Sequence, residues 1–176
     1  SLPASAELQR LALEHHPEVL LLDLGAGRNR LGGSALAQVY GQLGDTAPDL
    51  DDPHRIKGFF GAVQALNAQG RLLAYHDRSD GGLFVALCEM MFATHVGVTV
   101  DVDSLLGAGG DLLAGLFNEE LGAVLQVRRR DLTTVEAALR DAGLEACCHR
   151  LGAINREGRL VVRAGGPHAH EVGDKA

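Results

Sequence analysis

The part of the chain best equipped for chemistry is the run His-Asp-Arg-Ser-Asp-Gly-Gly at positions 76–82. Its carboxylates, on Asp77 and Asp80, are hard oxygen ligands of the kind that Mg²⁺ accepts. Ser79 can donate a hydrogen bond to a phosphate oxygen or cap a helix. The two glycines at the end of the run let the backbone approach a ligand closely. This combination predicts a site for a charged ligand, such as a metal-bound phosphate.

Two structural elements must position this run. Residues 72–74 are apolar and predict a buried strand, and residues 82–94 predict an apolar helix that begins at the glycines. The polar side chains would then lie at the carboxyl end of a strand, beside the free N–H groups of a helix start, where α/β proteins bind anions. A structural alternative stays open, in which Ser79 or Asp80 caps the helix and Arg78 pairs with a carboxylate.

A second candidate is the glycine-rich loop at positions 25–33, which follows an apolar run at 19–23. Gly32 and Gly33 lie where backbone amides could contact a phosphate. The loop is not a dinucleotide fingerprint, because Arg30 stands where the third glycine is needed. It is not a Walker A loop either, because no Gly-Lys-Ser/Thr follows. The spacing alone favours a tight strand-to-helix turn over phosphate contact.

The other polar candidates favour structural interpretations. Residues 118–120, Asn-Glu-Glu, could offer another carboxylate to the same site, but their spacing favours a solvated loop. Cys88, Cys147 and Cys148 have neither metal-ligand nor disulfide spacing and are interpreted as core or inert residues. No histidine pair has the spacing of a helical zinc motif. We therefore predict no catalytic residue in this chain.

Composition limits the class of protein. The chain has 176 residues, 46% of them hydrophobic, which suits one domain with a real core. A formal net charge of -7 disfavours nucleic-acid binding, and the arginines at 128–130 are interpreted as a solvated strand end. We expect no secretion signal, and the sequence has no apolar run near the roughly 20 residues that span a bilayer. We expect a cytoplasmic protein without membrane contact, and a piece cut from a longer polypeptide.

Periodicity and breaker residues predict the elements. Helices are predicted over 6–14, 34–43, 51–68, 82–94, 111–117 and 132–142. Strands are predicted over 19–23, 72–76, 96–102, 123–128, 145–152 and 159–163, the last two as a hairpin across 155–158. Because helices and strands mix without regular βαβ alternation, we expect an α+β fold, a mixed β-sheet packed with helices. One domain would cover 1–166, and 167–176 is expected to be a disordered tail.

Three segments of the chain together resemble a known family. The first joins Leu-Leu-Leu-Asp-Leu-Gly at 20–25 to Asn-Arg-Leu-Gly-Gly-Ser-Ala-Leu-Ala-Gln-Val-Tyr at 29–40. The second is the run at 76–83, and the third is Leu-Phe-Asn-Glu-Glu-Leu-Gly-Ala-Val at 116–124. In this order they look like the second synthase half of large-form phosphoribosylformylglycinamidine synthase (FGAM synthase). The resemblance implies the AIR synthase-like C-terminal domain of that half.

The resemblance also implies a function and a site. The parent enzyme uses ATP, Mg²⁺ and glutamine to convert formylglycinamide ribonucleotide to formylglycinamidine ribonucleotide in purine biosynthesis. By motif position, Asp77 matches a magnesium ligand and Ser79 a nucleotide-contacting serine of an auxiliary ATP/ADP site. The other magnesium ligands of that site would come from the preceding domain. Weaker candidates for the ligand loops are Asp80, Gly81, Gly82, Gly32 and Gly33.

The partners implied are the remaining domains of one polypeptide, namely the N-terminal synthase modules and a glutaminase domain. Since this chain would lack both, we expect it to be inactive on its own. Other interpretations stay open. The chain could be a module of another ATP-dependent synthase of the superfamily, such as an aminoimidazole ribonucleotide synthase or a selenophosphate synthase relative. It could also be a nucleotide-binding module only.

Overall fold

A computed structural model describes residues 17–107 and 110–165. The strands are β1 (Pro17–Asp23), β2 (Leu72–Asp77), β3 (Gly97–Asp101), β4 (Gly122–Arg128), β5 (Cys148–Asn155) and β6 (Leu160–Arg163). The α-helices are α1 (Ala35–Val39), α2 (Pro53–Ala68), α3 (Gly82–Thr94), α4 (Asp103–Leu106), α5 (Leu112–Phe117) and α6 (Leu132–Asp141). Short 3₁₀ turns at Arg129–Asp131 and Glu145–Cys147 precede α6 and β5.

The strands form one mixed sheet in the order β2-β4-β1-β5-β3-β6. All pairs are antiparallel except β3 with β6, which is parallel. The strands β1, β2, β3 and β6 therefore run in one direction, and their carboxyl ends lie at the same edge of the sheet. The predicted α+β fold with a mixed sheet is confirmed.

Helices cover both faces of this sheet. Strand β1 is buried along its whole length, as its continuous apolar run predicts. Since neighbouring residues of a strand point to opposite faces, Leu21 packs with α3, α4 and α5, while Leu20 and Leu22 pack with α2 and α6. The alternation predicted for 98, 100 and 102 is confirmed, because all three valines are buried. The result is two cores separated by one sheet.

The hairpin predicted for the last two strands is wrong. Strands β5 and β6 do not pair, because β3 lies between them. Their connection passes the start of β3 at Gly97, where a β-carbon would lie 2.0 Å from Asn155 Oδ1 and 2.5 Å from the Arg159 nitrogen. The missing side chain of this glycine makes room for the crossing. Strand β5 also begins three residues later than predicted, after a 3₁₀ turn.

Helix starts follow the predicted signals more closely than helix ends. Ser34 caps α1 by accepting a hydrogen bond from Ala37 N, and Asp52 caps α2 just before Pro53. Helix α1 is shorter than predicted and ends before Gly41, whose φ is 65°. The helix predicted over 6–14 and the tail predicted over 167–176 lie outside the described residues. Within 17–107 and 110–165, no helix is long and apolar enough to cross a membrane.

Two of the three arginines at 128–130 form ion pairs at the end of β4, although the Arg129 side chain is still 65% exposed. Arg129 Nε lies 2.8 Å from Glu18 Oε1. Arg128 Nη1 lies 3.3 Å from Asp131 Oδ2, and Arg71 Nη1 lies 2.6 Å from Asp131 Oδ1. Burial alone would raise the pKa of the Asp131 carboxyl, but the hydrogen bonds from the two arginines outweigh it and lower that pKa.

This lowered pKa predicts acid sensitivity. As pH falls, the unfolded chain takes up the Asp131 proton first, so the stabilisation is complete above the ordinary pKa of 3.8 and is lost as pH falls through the folded value. We expect Asp131→Asn to lower the free energy of unfolding by about 1 kcal/mol at neutral pH. The loss stays this small because solvent screens the part-exposed Arg71. Below about pH 4 the mutant should lose less further stability than wild type. Urea unfolding of both proteins between pH 3 and pH 7 checks this. Parallel pH profiles would contradict it.

Candidate functional site

The run at 76–82 forms the junction between β2 and α3. Asp77 is the last residue of β2, and Ser79 and Asp80 lie in the turn that follows. All three side chains are exposed, and among the described residues none of their side-chain oxygens has a hydrogen-bond or ion-pair partner. The helix cap of α3 is Gly81, with no side-chain cap hydrogen bond. The alternative in which Ser79 or Asp80 caps this helix is therefore not what the structure contains.

Arg78 turns the opposite way, into the interior. Its guanidinium and the Asp23 carboxylate form an ion pair in which both side chains are 0% exposed. Arg78 Nε also donates to the Glu120 carbonyl oxygen at 2.6 Å, and its backbone N–H donates to the Gly122 carbonyl oxygen at 2.9 Å. The predicted pairing of Arg78 with a carboxylate is confirmed. It fixes the backbone between Asp77 and Ser79.

Residues 118–120 are not the solvated loop that their spacing suggests. Asn118 and Glu120 are both 0% exposed. The Glu120 carboxylate accepts from Arg30 Nε at 2.6 Å, from Arg30 Nη2 at 2.7 Å and from Arg30 N at 3.1 Å. These hydrogen bonds raise the pKa of the Arg30 guanidinium. Sequence reasoning missed this pair because its partners lie 90 positions apart. The only local signal was two carboxylates directly before an apolar strand.

Glu119 joins the two candidate loops. Its Oε1 accepts from Gly81 N at 2.8 Å and from Ala35 N, also at 2.8 Å. Gly81 opens α3, and Ala35 is the first residue of α1, directly after the Gly32-Gly33-Ser34 turn. The structure therefore brings the glycine loop at 25–33 next to the run at 76–82, with an internal carboxylate between them.

Packing and backbone conformation explain the candidate glycines. A β-carbon on Gly32 would lie 2.4 Å from the backbone of Thr46, and Gly33 has a φ of 74°. Gly82 has a φ of 66°, and a β-carbon there would lie 2.5 Å from the Asn118 carbonyl oxygen. Non-glycine residues rarely adopt this conformation. Both glycine pairs are therefore required by the turns themselves, as the strand-to-helix interpretation predicts for the first loop.

A cavity of about 410 Å³ opens beside the first loop. It is lined by residues between Asn29 and Thr46, including Gly32, Leu36 and Tyr40, and it includes no residue of the run at 76–82. Asp77 and Ser79 instead lie on an open surface at the carboxyl end of β2.

The donors at this surface fit a magnesium ion held in part by other groups. Mg²⁺ usually keeps several waters and is bound by one or two carboxylates together with phosphates. Asp77 offers an exposed carboxylate. Burial of the nearby Tyr75 hydroxyl raises its pKa, and the negative charge of Asp77 raises it further. Within the described residues no group of three or more His, Cys, Asp or Glu side chains could hold a metal ion.

The cysteines have the character expected of inert residues. Burial raises the pKa of the thiols of Cys88 and Cys147, and it raises the pKa of Cys148 to about 11. A thiol with a raised pKa carries little thiolate at neutral pH and is a poor nucleophile.

Comparison with known proteins identifies the domain. The family model described as AIR synthase related protein, C-terminal domain, matches residues 18–165. PurLQS from Thermotoga maritima superposes with a TM-score of 0.67 at 14% identity, covering 89% of this chain and 25% of that chain. T. maritima PurL complexed with ATP gives a TM-score of 0.67 at 14% identity over 89% of this chain and 24% of that one.

A hydrogenase maturation protein has the same fold. HypE from E. coli, a hydrogenase maturation protein, gives a TM-score of 0.58 at 16% identity, covering 91% of this chain and 49% of that chain. At these identities the likenesses establish the fold, and the chain spans only about a quarter of the length of the PurL chains. The family match covers most of the chain and agrees with the mixed sheet and its flanking helices. The chain belongs to the AIR synthase related family and is its C-terminal domain.

Proposed function

We propose that this chain is the AIR synthase-like C-terminal module of the second half of a large-form FGAM synthase. The parent polypeptide would be an ATP- and glutamine-dependent amidotransferase of purine biosynthesis. The observation that carries the proposal is the surface formed by Asp77, Ser79 and Asp80, whose side-chain oxygens have no partner in the described part of the chain. They lie within a motif that resembles this enzyme's. A solved T. maritima PurL complexed with ATP has the same fold and supports a nucleotide role.

Each residue of this surface has a defined role in the proposal. The Asp77 carboxylate coordinates Mg²⁺, and Ser79 donates its hydroxyl hydrogen bond to the nucleotide. The bound metal supplies positive charge that neutralises the phosphates. Arg78 fixes the backbone between Asp77 and Ser79, because its guanidinium forms an ion pair with buried Asp23. Asp80 is a second carboxylate at the rim of the same surface.

The rest of the site would come from other parts of the same polypeptide. The surface at the end of β2 is exposed, and Mg²⁺ takes further ligands beyond one or two carboxylates, such as phosphates and waters. We propose that the preceding synthase domain supplies the remaining ligands and that a separate glutaminase domain supplies ammonia. In this arrangement the nucleotide supports the structure, while the amidation takes place at the first synthase half. We place the whole enzyme in the cytoplasm.

A second candidate function is a module of another ATP-dependent synthase of the superfamily. The likeness to HypE supports this second candidate, because the same fold occurs in HypE and in PurL. Aminoimidazole ribonucleotide synthase and selenophosphate synthase relatives are the members to consider. The segments at 29–40 and 116–124 favour FGAM synthase, because their sequences resemble that enzyme over long stretches.

The proposal is tested by comparing the full-length polypeptide with the isolated chain. With ATP, Mg²⁺, glutamine and formylglycinamide ribonucleotide, we expect the full-length protein to form formylglycinamidine ribonucleotide. The isolated chain should form none above the no-enzyme background, because the proposal assigns the amidation site, the remaining metal ligands and the glutaminase to other parts of the polypeptide. Product formation is measured by chromatography. Product from the isolated chain, or none from the full-length protein, would contradict the proposal.

A further inference from the structure

Glu119 lies between the two glycine turns, at the position that an anionic ligand of their amides would take. One carboxylate oxygen accepts two backbone hydrogen bonds, each 2.8 Å long, from Gly81 and Ala35. Charge-assisted hydrogen bonds of this kind are stronger than neutral ones. The N–H groups that could have received a phosphate are therefore already bound to a carboxylate that belongs to the protein.

The backbone on either side holds Glu119 firmly. Its neighbours Asn118 and Glu120 are both 0% exposed. Asn118 Nδ2 donates to the Ala114 carbonyl oxygen at 2.7 Å, and the Glu120 carboxylate is bound by Arg30. Glu119 is thus presented by a segment that is fixed on both sides. It acts as a rigid support for the turn that it caps.

The hydrogen bonds of Glu119 help to fix the turn that carries Ser79 and Asp80. The turn that carries them is fixed at one end by Arg78, through its ion pair with Asp23. At the other end it is fixed by Gly81, whose N–H is bound to Glu119 and which has no side-chain cap of its own. Ser79 and Asp80 therefore lie between two anchored points. Without Glu119 the turn keeps the Arg78 anchor and the hydrogen bond from Gly82 N to the Ser79 carbonyl oxygen at 2.9 Å, but it loses the hydrogen bond that fixes Gly81 N.

We propose that Glu119 is a positioning residue for the nucleotide surface, and that by occupying the loop amides it makes nucleotide binding depend on the metal at Asp77. This inference rests on the proposed function. Two effects combine in it. Glu119 sets the geometry of the turn that carries Ser79, and its negative charge repels a phosphate that lacks Mg²⁺. The nucleotide phosphates then gain affinity chiefly through the metal.

The test uses the full-length polypeptide and measures the Kd for ADP by calorimetry, with Mg²⁺ and with chelator. We expect Glu119→Ala to raise the Kd for Mg·ADP at least tenfold. The mutant should also reduce the ratio of the Kd with chelator to the Kd with Mg²⁺. Glu119→Gln should recover part of the affinity, because its amide oxygen still accepts hydrogen bonds but carries no charge. Hydrogen exchange should quicken at Ala35 and Gly81 together in Glu119→Ala.

The matched control is Asp111→Ala. Asp111 is an exposed carboxylate that caps α5 by accepting from Leu113 N at 2.8 Å and Ala114 N at 3.4 Å. Asp111→Ala should lower the melting temperature about as much as Glu119→Ala does, but it should leave the Kd for Mg·ADP unchanged. If Glu119→Ala binds Mg·ADP as tightly as wild type with the same metal dependence, the inference is overturned and the proposed function stands. A wild-type protein that binds no Mg·ADP overturns both.

Discussion

Replacing Arg78 with methionine should lower the free energy of unfolding by about 3–5 kcal/mol, because it leaves an uncompensated charge in the protein interior. Both Arg78 and Asp23 are 0% exposed. In the mutant, Asp23 would keep only the hydrogen bonds from Gly25 N at 3.2 Å and Gly27 N at 2.7 Å. The Glu120 carbonyl oxygen would also lose its donor. Urea unfolding of wild type and mutant measures the difference.

The control for this prediction is Arg140→Met. Arg140 Nε lies 2.9 Å from Glu145 Oε1, but the two side chains are 58% and 69% exposed. Exposed ion pairs contribute about 0–1 kcal/mol, so this mutant should unfold close to wild type. Equal losses in both mutants would mean that the Arg78–Asp23 pair does not anchor the junction between β2 and α3.

The features that the sequence predicts well are those that neighbouring residues determine. The apolar run of β1 and the alternation in β3 each need only a few adjacent residues, and both are confirmed. The caps that the structure shows at Ser34 and Asp52 are likewise local features. The residues at 76–82 were also expected at a strand–helix junction, and they lie there. Hydrophobic periodicity and capping chemistry explain this success.

The features that were missed depend on contacts between distant segments. Glu120 is buried because Arg30 reaches it from a loop 90 positions away, and no local pattern signals that pairing. The position of β3 between β5 and β6 was missed as well, because the alternation of apolar and polar residues in a strand does not show which strands pair with it. The bridge from Glu119 to both glycine turns was missed for the same reason.

Asp77→Asn should weaken nucleotide retention by the full-length polypeptide at least tenfold. The substitution keeps the shape of the side chain but removes the charge that holds Mg²⁺. A tenfold loss corresponds to about 1.4 kcal/mol of binding free energy. Because a ligand that binds only the folded state stabilises it by mass action, the mutant should also melt at a lower temperature. The hydrogen bonds of Asp77 in the described residues are made by its backbone, as from His76 Nδ1 to the Asp77 carbonyl oxygen, and the substitution leaves them in place, so little of this effect should come from folding itself.

The most direct measurement is the nucleotide content of the full-length polypeptide purified with Mg²⁺, compared between wild type, Asp77→Asn and Asp141→Asn. Asp141 is an exposed carboxylate at the end of α6, a helix on the opposite face of the sheet from α3. We expect wild type and Asp141→Asn to retain nucleotide through the same purification, and we expect Asp77→Asn to lose most of it, because a weaker site releases its ligand at lower dilution. If Asp77→Asn keeps its nucleotide and its melting temperature, Asp77 does not hold the metal and the central claim is wrong.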